Sequence, residues 1–280
     1  MNILKGDLFL YTQLYIIGAT YLLIPVSALV ILRIRHKYRI TSVFTGVAAF
    51  FIAMRVLMTV INVLFSLVGV TGEFWNAHPV LNEILNILLN VVFQNIVIYY
   101  LMKLVMKSRL SLYDSMAIGF SFSLGNCFIQ GYYSIYLVRL LKSHEAGILD
   151  QLASEALPLE TLQETVDEAL SYGLGHYYLQ LFAALTIVCL AAVLCMLLYH
   201  ALKKPDKMYI LYACGIHAFC LALIALSMLS SASFVYFLAN LAVLGIAVAI
   251  YILYKRWYRE QQLDLARRKR EYKQSLKSQE

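Results

Sequence analysis

Residues 177–202 read YYLQLFAALTIVCLAAVLCMLLYHAL, without one Asp, Glu, Lys or Arg. Wound as a helix at about 1.5 Å per residue, the run is roughly 39 Å long. About 20 such residues cross the ~30 Å hydrocarbon core of a bilayer. Six further runs have the same character: 8–32, 43–70, 80–106, 115–141, 208–230 and 233–254. The whole chain agrees with them. It has 280 residues, of which 61% are hydrophobic and 14% charged. Soluble domains run near 45–50% apolar and about 25% charged. One soluble core cannot hide that much apolar surface, so the composition excludes a soluble enzyme, a disordered protein and a nucleic-acid-binding domain. The expected fold is all-α: a polytopic membrane protein with seven transmembrane helices in 1–256 and a basic tail in 257–280.

The first run is too long for a signal-peptide core. Arg33, Arg35, Lys37 and Arg39 follow it at once and resist translocation, so it reads as a retained helix, although Val26-Ser27-Ala28 resembles a cleavage site. Basic residues then collect on one side. They are that first group, Lys103, Lys107 and Arg109, Lys203, Lys204 and Lys207, and the tail from Lys255 onward. Glu73, Glu145, Asp150, Glu155, Glu160, Glu164, Asp167 and Glu168 collect on the other. The basic side is expected to be cytoplasmic, which puts the N-terminus outside and the C-terminus inside. The chain is therefore read as an integral, multi-pass protein of the lipid bilayer, in the plasma membrane of a bacterium. Cys127, Cys189, Cys195, Cys214 and Cys220 all fall in apolar runs without metal-ligand spacing, and read as small core residues.

The external segment 142–176 carries Leu157-Pro158, then Leu159, Leu162, Val166 and Leu170 with acids between. Pro suits a first helical turn, and spacings of three and four predict one apolar face. The tail is expected to continue the last helix, with Arg267-Arg268-Lys269-Arg270 able to touch anionic lipid.

Polar groups inside spans are costly and often functional. Here they are Arg55, the series Asn82, Glu83, Asn86, Asn90, Gln94 and Asn95, and then Asn126, Gln130, Gln180, His217 and Asn240. Counted from the basic end of each helix, Arg55, Asn95, Asn126 and His217 fall within about 5 Å of one level. Asn82, Asn86, Asn90 and Gln94 recur every four residues, which makes one stripe. Such groups either bond neighbouring helices or line a cavity. The expected cavity set is Arg55, Asn90, Gln94, Asn95, Asn126, Gln130 and His217. Acid–base catalysis wants carboxylates or His, and zinc wants three or four His, Cys or carboxylate ligands. The shared level offers amides, one Arg and one His. Glu83 is the one carboxylate inside a span and sits near its outer end.

Three motifs resemble those of the YhfC-type intramembrane metalloproteases, in the clan of CAAX-processing and PrsW-type proteases. The family's Phe-Glu-Glu-x-x-Arg-Phe/Tyr reads Phe93-Gln94-Asn95-Ile96-Val97-Ile98-Tyr99. Its Asp-Ala-Leu-x-Tyr-Gly-x-Gly-His-Gly-Gly-x-Glu-Ala aligns without a gap over Asp114 to Cys127. Its His-Ala-x-x-Asp reads His217-Ala218-Phe219-Cys220-Leu221. At the positions that the resemblance marks as catalytic stand Gln94, Asn95, Phe122, Asn126, His217 and Leu221, and only His217 keeps the family's residue. Ile98 replaces the motif Arg. The family's helix 5 residues have no clear counterpart around Leu179, Gln180 and Ile187. Gly119-Phe120-Ser121-Phe122-Ser123 is also similar to a segment of the seven-helix scaffold subunit of gamma-secretase.

The resemblance implies a protease-derived protein whose catalyst is lost, with no cofactor and no bound metal. It would act as a scaffold or binder of another membrane protein or peptide. Two alternatives stay open. One is an active metalloprotease with a displaced zinc site, built from His217 with Glu83 or from His176. The other is a small-ligand transporter or receptor.

Overall fold

A computed structural model describes residues 3–70, 72–106, 110–154, 157–203, 207–229 and 232–277. Lys107, Arg109, Glu155 and Lys204, which entered the charge pattern above, lie outside the described residues. The helices, in chain order, are α1 (Ile3–His36), α2 (Ile40–Phe50), α3 (Met58–Leu67), the short α4 (Gly72–Ala77), α5 (Pro79–Leu101), α6 (Leu112–Glu145), α7 (Leu159–Ser171), α8 (Leu174–Lys203), α9 (Met208–Met228) and α10 (Ser233–Lys277). A π-helical stretch, Phe51–Leu57, joins α2 to α3 as one unbroken rod, and a second, Met102–Met106, extends α5. The tail thus continues the last helix, as its sequence implies.

Six of these rods are long and apolar enough to cross a membrane: Phe9–His36, Ile40–Leu67, Pro79–Val105, Leu174–Lys203, Met208–Met228 and Ser233–Arg256. The remaining long helix, α6, contains the expected run 115–141. Its 34 residues give ample length, but Ser115, Ser121, Ser123, Asn126, Gln130, Ser134 and Arg139 dilute its apolar character.

The same composition explains why α6 is the hub. It packs against α1, α2 and α8, and small residues let those backbones approach. A Cβ on Gly119 would lie 2.6 Å from the Ala191 carbonyl oxygen and from Ala192 Cα of α8. One on Gly131 would lie 2.7 Å from the Gly18 oxygen of α1. Gly46 of α2 sits against Ser121 and the Ile118 carbonyl, and Gly125 against the Phe50 ring. The buried serines of α6 return their hydroxyls to their own helix, Ser121 to Ala117 O at 2.7 Å and Ser123 to Gly119 O at 3.1 Å. They are thin, internally satisfied surfaces.

One core cluster gathers Phe50, Ile98, Phe122, Leu194 and Cys220 from α2, α5, α6, α8 and α9. A second joins Leu14 and Ile17 of α1 to Leu137 and Leu141 of α6 and to Leu162 and Val166 of α7. The amphipathic segment forms the expected helix, with one change of face. Ala169 is buried beside Leu162 and Val166, while Leu170 is 54% exposed. The reason is local: Ala169 O accepts from Tyr177 Oη at 3.1 Å, which draws that side of α7 onto the start of α8.

Candidate functional site

His217 of α9 and Asn95 of α5 meet in the core. Asn95 Nδ2 lies 3.1 Å from His217 Nδ1 and donates to Val91 O at 2.8 Å. Both amide protons are then used, and His217 Nδ1 accepts, as the neutral Nε2–H imidazole does. Asn95 Oδ1 is buried with no hydrogen-bond partner. Gln94, next in the chain, is buried as well.

The neighbouring α6 position is filled by carbon. Phe122 is buried and meets the Phe50 ring edge-on, with centroids 5.7 Å apart and planes at 78°. Leu221 is half-buried. The matched positions therefore supply one imidazole, three amides and two apolar side chains. That donor set does not fit a zinc ion, which takes His, Cys or carboxylate ligands in number. Among the described residues, no three His, Cys, Asp or Glu side chains come together to hold a metal.

The expected polar layer separates into parts. Asn95 and His217 are joined. Asn126 and Gln130 of α6 are exposed, as is Arg55 on the π-helical stretch. Asn90 is half-buried, and its Oδ1 has no hydrogen-bond partner. Along the α5 stripe, Asn86 Nδ2 donates to Asn82 Oδ1 at 3.2 Å. Asn62, Asn82 and Asn86 face a cavity of about 430 Å³ between α3 and α5. Glu83 stands on the same helix as Asn95, roughly 18 Å away along the axis at about 1.5 Å per residue.

Asn126 and Gln130 share a helical stripe with Phe122, Tyr133 and Leu137, since offsets of four, eight, eleven and fifteen residues return to one face. Phe122 and Leu137 are buried, but Asn126, Gln130 and Tyr133 between them are exposed. The stripe is thus an uncovered strip of α6, closed at one end by Phe122 on Phe50. At the other end Tyr133 and Leu137 enter a cavity of about 950 Å³, walled by α7 and by the ends of α8, α9 and α10.

That cavity went unrecognised in the sequence, although a signal was present. Glu168, Tyr172, His176 and Gln180 recur every four residues, although the break between α7 and α8 falls among them. Here Tyr172 Oη donates to Glu168 Oε1 at 2.9 Å, and the Tyr172 and His176 rings stack at 3.9 Å. Gln180 Nε2 lies 2.8 Å from His176 Nε2. The hydrogen bond that Tyr172 donates to Glu168 raises the Tyr172 pKa above its usual value.

Asp114, which opens the second motif, holds the opposite end together. Its Oδ1 accepts from Arg39 N at 2.7 Å and Ser42 Oγ at 2.9 Å. Its Oδ2 accepts from Ser111 N at 3.0 Å and Ser111 Oγ at 2.7 Å. With Asp114 N on Ser111 Oγ at 3.1 Å, this is a reciprocal capping box on α6. The same carboxylate also serves the start of α2. Burial pushes its pKa up, but the bonds from Ser111, Arg39 and Ser42 outweigh burial and hold the carboxyl below its usual value.

The family model for the YhfC intramembrane metalloprotease matches residues 20–256 of the chain. No curated protein and no solved structure matches it.

Proposed function

The chain belongs to the YhfC intramembrane metalloprotease family, and from that premise we propose that this member binds membrane partners without hydrolysing them. The carrying observation is the centre itself. Where the resemblance places the family's catalytic acids and His, Asn95 is bonded to His217 and Phe122 is packed on Phe50. Amides keep hydrogen-bonding shape but do not move protons at neutral pH. An imidazole whose Nδ1 accepts from an amide has there no carboxylate to raise its basicity toward water.

The binding half of the reading rests on α6. Asn126 and Gln130 are uncovered near the middle of a long helix. Amides left in hydrocarbon are costly, and a partner helix or extended segment that bonds them removes the cost. Each interhelical bond of this kind contributes about 0.6 kcal/mol and at most about 2 kcal/mol. In this reading α6 is the seventh span, the N-terminus is outside and the basic ends face the cytoplasm of a bacterial cell. Support comes from the shared end at which His36 stacks on Tyr113 and Asp114 holds Arg39.

The test is a mild-detergent pull-down of the tagged chain from native membranes, with a photo-crosslinker at position 126 and zinc assayed in the same sample. A crosslinked membrane partner and no stoichiometric zinc is the expected result. One zinc per chain with cleavage of a membrane substrate overturns the proposal. A small-ligand receptor is the second reading, favoured by the 950 Å³ cavity; ligand-dependent thermal stabilisation without any protein partner is its mark.

A further inference from the structure

The cavity of about 950 Å³ has a chemistry of its own. Among the described residues that line it, Glu168 is the sole carboxylate, and there is no Lys or Arg. Tyr172 bonds that carboxylate, and Tyr133, Tyr177 and Tyr236 line the same cavity. Tyr172 donates to one Glu168 oxygen, which leaves carboxylate acceptor capacity toward the cavity. The faces of tyrosine rings attract cations, more strongly where water is displaced. A carboxylate beside tyrosine rings offers an ammonium or guanidinium group on an apolar body both a counter-charge and a ring face. His176 stacks on Tyr172 and meets Gln180 through Nε2, and no hydrogen bond joins it to Glu168 among those described.

Tyr133 lines the cavity and stands on the same face of α6 as the exposed Gln130 and Asn126. A chain attached to a cationic group beside Glu168 can run along that face to the two amides. The two features fit one ligand: a peptide with a basic residue immediately before an apolar segment.

We infer that the cavity walled by α7, with Glu168 and its tyrosines, is a recognition site for the basic flank of a partner's apolar segment. This rests on the binding reading above and names what that binding selects. A free amine and a peptide-borne one share the chemistry; the strip on α6 favours the peptide.

The test uses the full chain in nanodiscs of uncharged phosphatidylcholine, so that the lipid itself attracts no cation. The probe is dansyl-lysyl-leucyl-phenylalanine amide, compared by fluorescence anisotropy with the tripeptide that carries norleucine in place of lysine. The lysyl probe is expected to bind about tenfold tighter. Glu168→Gln should abolish most of that preference while the norleucyl probe is unaffected, and Glu168→Asp should restore part of it. Glu168 is exposed, and thermal unfolding of the same samples checks that each variant is folded. Tyr133→Leu, which keeps the carboxylate, should weaken the lysyl probe more than the norleucyl one. Equal binding of the two probes, a preference that survives Glu168→Gln, or no binding by the unsubstituted chain overturns the inference. If it falls while crosslinking at position 126 still captures a partner, the binding function stands and only its selectivity for basic flanks is lost.

Discussion

Asp114 is one side chain that starts two helices. Four donors converge on its two oxygens, from Ser111, Arg39 and Ser42. Asp114→Ala leaves the first turns of α2 and α6 without their acceptor, and is expected to cost roughly 2–4 kcal/mol, measured by denaturant unfolding in micelles. Its folded pKa lies below the usual value of 3.8. The carboxylate therefore contributes stability that is fully present above that value and is lost as the pH falls through the lower folded one. Asp114→Asn should flatten this acid limb; an unchanged limb would assign acid sensitivity to other carboxylates. The Asn95–His217 pair calls for a different measurement. Asn95→Leu and His217→Leu form a double-mutant cycle, for which a coupling of about 0.6–2 kcal/mol is expected. Additive losses would mean that the 3.1 Å contact contributes nothing. The identities of Gln94, Asn95, Phe122 and His217 were legible as residues replaced or kept. That Phe122 meets Phe50 edge-on was not, because the partner lies on another helix.

Among the elements, α6 governs assembly through what it lacks. Gly119 lets the α8 backbone in so closely that a methyl group has no room. Gly119→Ala should cost about 1–3 kcal/mol through overpacking. Gly215, in the interior of α9, has nothing within 4 Å of where its Cβ would stand, so Gly215→Ala should be neutral or stabilise by up to about 1 kcal/mol. Thermal unfolding of the two variants side by side separates helix propensity from close approach; equal shifts would argue against the hub. The external helix teaches the same lesson about faces. Spacing alone gave Leu170 to the apolar side, whereas the Tyr177 contact turned Ala169 inward. Periodicity places a face to within about one residue, and a tertiary contact decides between neighbours on it.

At the scale of the whole molecule, the charge asymmetry makes a topological prediction. A cysteine introduced at position 147 (Gly147→Cys), beside the external helix, should react with a membrane-impermeant maleimide in intact cells. One introduced at position 207 (Lys207→Cys) should react only after permeabilisation. The native cysteines are buried or half-buried, so the background should be low. The reverse pattern would invert the chain and place the Glu168 cavity in the cytoplasm. The six rods that satisfy length and composition do not include α6; a third cysteine at position 37 (Lys37→Cys), between α1 and α2, decides whether it crosses, since positions 37 and 147 lie on opposite sides only if α6 spans.

Sequence by itself determined that this chain is helical and membrane-embedded, and its resemblance to the family set amides where acids are expected, because hydropathy, length and residue identity act locally along the chain. It also carried the polar groups, in stripes readable by counting to four. Only the tertiary structure decided which of those groups meet. Asn95 found His217, Asn126 and Gln130 were left uncovered, and Glu168 came to share a cavity with tyrosines from α6, the turn after α7, α8 and α10. The physical reason is that side-chain depth follows from counting along one helix, whereas its neighbours depend on how closely the other helices approach. Here that approach is set by glycines whose effect is felt only across an interface.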